Sequence, residues 1–264
     1  MLAVINNKPL EYENEVIQLE LVDGKLARKP KIRYNKDGSI DKRYSSKVAG
    51  ISTEVYPFTT EEEIKAMIDV YNERIEKASN NNQRQIACRN KMLFLIGINL
   101  SLRISDLITL KWNFFLKDDM TFRDSYKIQP KKTKKTGKFV TLYFNDVVKK
   151  AIVEYVEQYP IEDMNDFIFK SRKGDKAIAE KSVWDIIVNV ATEAGIEKNV
   201  RTHSLRKTFG YHIWHNAEDK EKALVMLMVI FNHSSIATTK KYIGIMNEEI
   251  ESVFNSLNLG IDLF

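Results

Sequence analysis

Four short strings in this sequence hold side chains able to do chemistry. "SLRISDL" (101–107) contains Arg103. Its guanidinium could grip two oxygens of a carboxylate or phosphate at once, although an arginine between helices ordinarily caps carbonyls or faces solvent. "PKKTKKTGK" (130–138) carries Lys131, Lys132, Lys134, Lys135 and Lys138. Such a lysine-rich tip suits a phosphate backbone, where each neutralised phosphate releases counterions, and equally suits a solvated loop. "THSLR" (202–206) puts His203 and Arg206 three residues apart, on one face of a helix. "FNHSSIATTKKYIG" (231–244) places His233 nine residues before Tyr242. That tyrosine is either a half-buried aromatic or a nucleophile.

His212 and His215 repeat the three-residue spacing on the predicted helix of His203. His212 lies nine residues from His203, on the opposite side. A zinc site takes about four ligands, and no cysteine cluster completes one here, so no metal site is assigned. The one cysteine, Cys88, stands in an apolar run. It reads as a small core residue, no intramolecular disulfide is possible, and the usage fits a reducing compartment.

These strings need elements to position them. Residues 1–57 read as a separate segment of short alternating runs. A strand pair is expected around Asp23-Gly24 within 15–34, a second turn at 35–39, and a polar, basic linker at 39–50. From Phe58 the pattern becomes helical, and 58–264 reads as one domain with a C-terminal tail helix. Thr60 and Glu63 have capping-box spacing, followed by Ile64, Met67, Ile68, Tyr71 and Ile75 on one apolar face. Further helices are expected near 84–100, 104–112, 145–159, 181–194, 203–216, 221–231 and 247–257. Between them, 125–129 and 138–144 flank the lysine-rich tip as an antiparallel hairpin, and 166–170 reads as a short extended piece. The fold class is therefore α+β, mostly helical, with one small antiparallel hairpin.

Composition bounds the function only loosely. The 264 residues are 44% hydrophobic and 29% charged, ordinary for a globular protein. A net charge of +5 and a pI near 9.0 permit a nucleic-acid partner without establishing one. The N-terminus lacks a secretory pattern and the longest apolar runs are too short to span a bilayer. A cytoplasmic location is expected, at the nucleoid if the source is bacterial.

In chain order the reactive residues run Arg103, Lys135, His203-x-x-Arg206, His233, Tyr242. Together "SLRISDL", "KKTGKFVTL", "HSLRKTF" and "NHSSIATTKKY" resemble the tyrosine recombinase, or phage integrase, family, over roughly Phe58 to Gly244. Six positions match in order and spacing. The resemblance implies the family's catalytic-domain fold and a DNA strand transferase that cleaves and rejoins double-stranded DNA through a 3′-phosphotyrosyl intermediate. It implies neither cofactor nor metal. A type IB topoisomerase-like nicking-closing enzyme and a catalytically silent DNA-binding relative are the alternatives.

The residue types suit that reaction. Two guanidiniums, Arg103 and Arg206, can clamp the nonbridging oxygens on which transition-state charge gathers. Tyr242 would attack phosphorus. With an ordinary pKa of about 10 it needs a proton acceptor, for which His203 is the candidate. Lys135 would protonate the leaving 5′ oxygen, with Lys134 adjacent and Lys132 a weaker alternative. His233 would donate to the phosphate. The other hairpin lysines, Lys131, Lys132, Lys134 and Lys138, are the DNA-backbone candidates.

The chain departs from the family pattern in two glycines. Ser101 stands two before the arginine and Asn232 just before the second histidine, and Asn is among the cheaper replacements if a left-handed conformation is required. The 57 N-terminal residues do not read as the family's helical core-binding domain. A minimal recombinase, a shortened chain and reliance on an accessory DNA-binding protein stay open. Ile250, Val253, Phe254 and Leu257 share one face of the tail helix, which the resemblance implies docks on a neighbouring copy during synapsis.

Overall fold

The computed structural model describes residues 54–132, 137, 139–172 and 174–256, apart from the side chains of 246–249 and 251, together with the backbone of four short strands between 11 and 28. The chain divides into two units, Met1–Glu54 and Val55–Phe264. In the first unit, β1 (Glu11–Tyr12) pairs with β2 (Glu15–Val16), and β3 (Leu19–Val22) pairs antiparallel with β4 (Lys25–Arg28). The β3–β4 register sets Val22 opposite Lys25, so the strand pair expected around Asp23-Gly24 forms. The turn at 35–39 and the linker at 39–50 lie outside the described residues.

The second unit is mostly helical. Helix α1 (Glu61–Glu76) starts at the expected capping box: Thr60 accepts from the Glu63 N–H, and Glu63 reaches back to the cap backbone. Lys198 adds an ion pair to Glu63 at 2.6 Å. Helix α2 (Asn81–Asn99) carries the apolar run and packs against α1 and α5 (Asp146–Val156). Cys88 is buried on α2, and burial raises its thiol pKa. The single helix expected over 104–112 is instead two, α3 (Ile104–Leu107) and α4 (Trp112–Phe115). Between them the chain turns, so that Lys111 pairs as an isolated bridge with Phe167. The 166–170 piece forms only such bridges and no strand.

Strands β5 (Ser125–Ile128) and β6 (Val140–Tyr143) form the expected antiparallel hairpin, with Ile128 opposite Val140. Helices α6 (Glu180–Glu193), α7 (Thr202–His215) and α8 (Lys220–Phe231) follow. Then comes α9 (Ile236–Ile243), which sequence patterning did not reveal, and α10 (Ile245–Ser256). The main core runs from Phe58 through Phe94, Phe115 and Phe169 to Leu205. A smaller cluster, with Tyr211, Leu224, Leu227, Phe231, Ile243 and Ile245 at its centre, joins α7, α8 and α9. Gly210 permits that junction. A Cβ there would sit 2.6 Å from Ile243 Cγ2 and 2.8 Å from Phe231 Cζ.

Among the described residues, no single helix is long and apolar enough to cross a membrane.

Candidate functional site

Tyr242 lies in the last turn of α9, and both ends of that helix have chemical causes. Ser235 caps it by accepting from the Thr238 N–H at 3.1 Å, and Gly244 ends it with φ +91°. The Tyr242 ring packs edge-on to Phe231 (5.3 Å between centroids) and to His233 (5.1 Å). The smaller core cluster therefore seats the candidate nucleophile.

His203 and Arg206 project from one face of α7, as their spacing predicts. His203 Nδ1 lies 3.4 Å from the Tyr242 hydroxyl. That is long for a hydrogen bond and typical of a catalytic pair without substrate. Arg206 is only 6% exposed. One of its terminal nitrogens donates to the Ser101 carbonyl, the other to the Phe231 carbonyl at 3.1 Å, and its guanidinium stacks 4.5 Å from the Phe231 ring. The opposite side of α7 is structural. His212 Nε2 is 3.0 Å from the Phe58 carbonyl, and His215 stacks on Tyr211 at 5.5 Å.

Arg103 precedes α3 in extended conformation, and its carbonyl accepts the Asp106 and Leu107 N–H groups. Its guanidinium meets no hydrogen-bond or ion-pair partner among the described residues. It is half-buried, yet its charge acts on His203, Arg206, His233 and Tyr242 alike. Of the two candidate clamps, Arg206 is fixed by backbone and Arg103 is available. Both line a cleft of about 260 Å³ with Asp106, Phe231 and Asn232.

The two departures from glycine now have a physical account. Ser101 has φ +54° and Asn232 has φ +53°. Both occupy the left-handed region that glycine enters without cost. Asn232 ends α8 there, and this turn sends His233 back so that its N–H donates to the Met228 carbonyl at 2.9 Å. His233 Nδ1 then lies 3.1 Å from Thr239 Oγ1.

Electrostatics follow from burying several cations together. Burial first, then the charges of Arg206 and Arg103, lower the pKa of both His203 and His233 below the usual 6.5. Lys207 adds to the effect on His203. Burial pushes Arg206 down to about 10, so it remains a cation at neutral pH. For Tyr242 burial raises the pKa, and the nearby Arg206 and Arg103 only partly offset it. Without DNA the hydroxyl therefore keeps its proton, and a neutral histidine beside it can accept that proton.

Lys131 and Lys132 are exposed at the base of the β5–β6 tip. Lys134, Lys135 and Lys138 lie outside the described residues. Three neighbours of the site escaped sequence reasoning. Asp106 is buried and accepts the Lys131 N–H at 2.9 Å, which ties the hairpin base to the Arg103 segment. Lys207 is buried with its ammonium 5.6 Å from the Tyr242 ring centre. Thr239 is fully buried against His233. Each sits inside or beside a recognised string, and their burial was the signal that sequence did not carry.

The described residues thus place Tyr242 beside His203 and His233, with Arg206 and Arg103 near enough for their charges to act on all three. The chain belongs to the phage integrase family, whose model matches residues 57–249. It is similar to the probable integrase/recombinase YoeC of Bacillus subtilis, with 34% identity over 63% of this chain and 83% of the relative. It is also similar to the tyrosine recombinase XerC of Staphylococcus aureus, 27% identical over 75% of this chain but 59% of that protein's length. Among solved structures, XerA recombinase superposes with a TM-score of 0.53 at 18% identity, covering 79% of this chain and 67% of that one. XerH recombinase in a post-cleavage complex with its difH substrate also gives 0.53, at 18% identity and 83% and 60% coverage. The fold is that of these recombinases.

Proposed function

We propose that this protein is a site-specific DNA recombinase or integrase that cleaves and rejoins DNA through Tyr242. The observation that carries the reading is the placement of the Tyr242 hydroxyl 3.4 Å from His203 Nδ1, with buried Arg206 and half-buried Arg103 near enough for their charges to act on it. Membership of the integrase family and the recombinase names of its relatives support it, and favour it over a nicking-closing enzyme or a silent DNA-binding protein.

In the proposed reaction Tyr242 Oη attacks phosphorus and its proton passes to His203. The phosphorus–O5′ bond breaks, and the leaving oxygen takes a proton from Lys135. Arg103 and Arg206 hold the nonbridging oxygens and His233 donates to one of them. The 3′-phosphotyrosyl bond conserves the phosphodiester energy, so a second 5′-hydroxyl reseals the strand by the reverse path. The chemistry calls for no metal or nucleotide cofactor.

Self-association on DNA is part of the proposal. Ile250, Val253 and Phe254 are exposed along α10, with Phe254 at 73%, and Val225, Met226 and Val229 are exposed along α8. XerH and lambda integrase have been solved bound to DNA, the latter as a dimer. We place the activity in the cytoplasm, at the nucleoid of a bacterial source.

The test is a suicide substrate carrying a nick near the cleavage site, drawn from DNA flanking the gene. Wild-type protein should form a covalent protein–DNA adduct and Tyr242→Phe should form none. An adduct that survives Tyr242→Phe, or no adduct with any flanking sequence, overturns the reading.

A further inference from the structure

We infer that Thr239 sets the tautomer of His233: its hydroxyl donates to His233 Nδ1, so the neutral ring carries its proton on Nε2, the nitrogen left for a phosphate oxygen. Thr239 is thus a positioning residue, acting on the phosphate only through His233.

The argument begins with one proton and two acceptors. Thr239 Oγ1 lies 3.1 Å from His233 Nδ1 and 3.3 Å from the Ser235 carbonyl. A helical threonine commonly donates to the carbonyl four residues back. Here that carbonyl already accepts the Thr239 N–H at 3.2 Å, and the imidazole nitrogen is the nearer partner. A neutral imidazole has one donor and one acceptor nitrogen, and the hydrogen bond at one decides the state of the other. The His233 Nε2 meets no partner among the described residues. If Thr239 instead donated to Ser235, Nδ1 would hold the proton and Nε2 would present a lone pair to an anion, which repels.

The surroundings hold this arrangement still. Thr239 is 0% exposed, so no water competes for its hydroxyl. The His233 N–H is fixed on the Met228 carbonyl, and its ring is packed by Phe231 at 5.3 Å and Tyr242 at 5.1 Å. The charges of Arg206 and Arg103 oppose a third cation, so the ring is neutral and its tautomer matters. The hydrogen bond from α9 to His233 also couples the nucleophile's helix to the phosphate-binding residue.

The tautomer itself is independent of the recombinase reading, and only its use on a phosphate rests on it. Long-range proton–nitrogen spectra of histidine-labelled, DNA-free protein at about pH 8 report it directly, with His233→Gln assigning the signal among the 4 histidines. Wild type and Thr239→Ser should show the Nε2–H form, and Thr239→Val a mixture of both forms. A predominant Nδ1–H form in wild type, or an unchanged population in Thr239→Val, overturns the inference. If Thr239→Val does not fold, the wild-type and Thr239→Ser spectra decide alone. In the trapping assay Thr239→Val should slow adduct formation about tenfold at unchanged DNA affinity, with Thr239→Ser restoring it. Equal rates for Val and wild type overturn the catalytic half. A correct tautomer in a wild-type protein that traps no DNA refutes the recombinase reading and leaves the tautomer standing.

Discussion

Replacing Gly210 by alanine should separate the position of Tyr242 from the stability of the fold. The added methyl would lie 2.6 Å from Ile243 Cγ2 and 2.8 and 2.9 Å from two atoms of the Phe231 ring, where ordinary contact begins at 3.4 Å. Relief requires α9 to withdraw from α7 by a large fraction of an ångström, because the Phe231 ring is itself pinned by Arg206. Overpacking of this kind costs about 1–3 kcal/mol, and the gain in helix propensity returns about 1 kcal/mol. The net loss of about 0–2 kcal/mol corresponds to a fall in Tm of roughly 0–8 °C for a domain of this size. The chemical consequence is larger. Ile243 adjoins Tyr242, and misplacing a reacting atom by about 1 Å costs on the order of 10²-fold. Adduct formation on the nicked substrate should therefore fall ten- to a hundredfold in a protein that is still folded by circular dichroism. Gly97→Ala is the control. Its Cβ meets Leu205 Cδ1 at 2.7 Å, the end of a rotatable side chain, and nothing else below 3.4 Å. It should lose no more stability than Gly210→Ala and less than about threefold in rate. Wild-type rates for Gly210→Ala, or equal losses in the two variants, would refute the idea that the α7–α9 contact positions the nucleophile.

Cleavage should have an acid limb. In the proposed reaction His203 takes the Tyr242 proton as a neutral ring, and its pKa lies below the usual 6.5, so single-turnover rates should hold near neutrality and fall only as pH drops through the lowered value. The same shift acts on folding. His203 and His233 bind protons more readily unfolded, so their stability penalty begins as pH falls below about 6.5 and is complete below the folded values, as urea titrations across pH would show. Glu63→Ala should cost about 1–2 kcal/mol in urea unfolding, since it removes the acceptor of the Thr59 and Thr60 N–H groups, half of the α1 capping box, and the ion-pair partner of Lys198. Burial alone would raise the Glu63 pKa, but Lys198 and the Thr59 and Thr60 N–H groups lower it, so this contribution is present above 4.5 and is lost as pH falls through the depressed value. Asn232→Gly should leave Tm within about 2 °C, whereas Asn232→Ala should cost about 1 kcal/mol, because only the latter meets the left-handed penalty at φ +53°.

Much of the candidate site was legible because its residues are sparse in sequence but ordered. Arg103, His203, Arg206, His233 and Tyr242 are few, their types suit a phosphate, and their spacing survives without any structure. The α1 capping box and the β5–β6 hairpin were legible for local reasons, a cap and a turn. Helix α9 was not. It has 8 residues, two of them adjacent threonines, and exists because Ser235 and Gly244 close its ends and the smaller core cluster holds it. Tertiary contact overrides propensity there. The break between α3 and α4 was hidden for a related reason, since Lys111 pairs with a residue more than fifty positions away. Asp106, Lys207 and Thr239 look like surface polar residues in the string and become site neighbours only when buried.

Arg206 also changes how mutants of this protein should be interpreted. Its guanidinium ties the carbonyl of Ser101, itself left-handed, to that of Phe231, which directly precedes left-handed Asn232. One side chain therefore staples two unfavourable backbone turns that belong to different parts of the chain. A substitution at Arg206 releases both turns as well as the proposed phosphate contact, so it confounds loss of chemistry with loss of architecture. Tyr242→Phe removes a single oxygen and leaves the staple in place. Inactive protein for DNA-binding or crystallographic work is better made at Tyr242, the proposed nucleophile, than at the arginine.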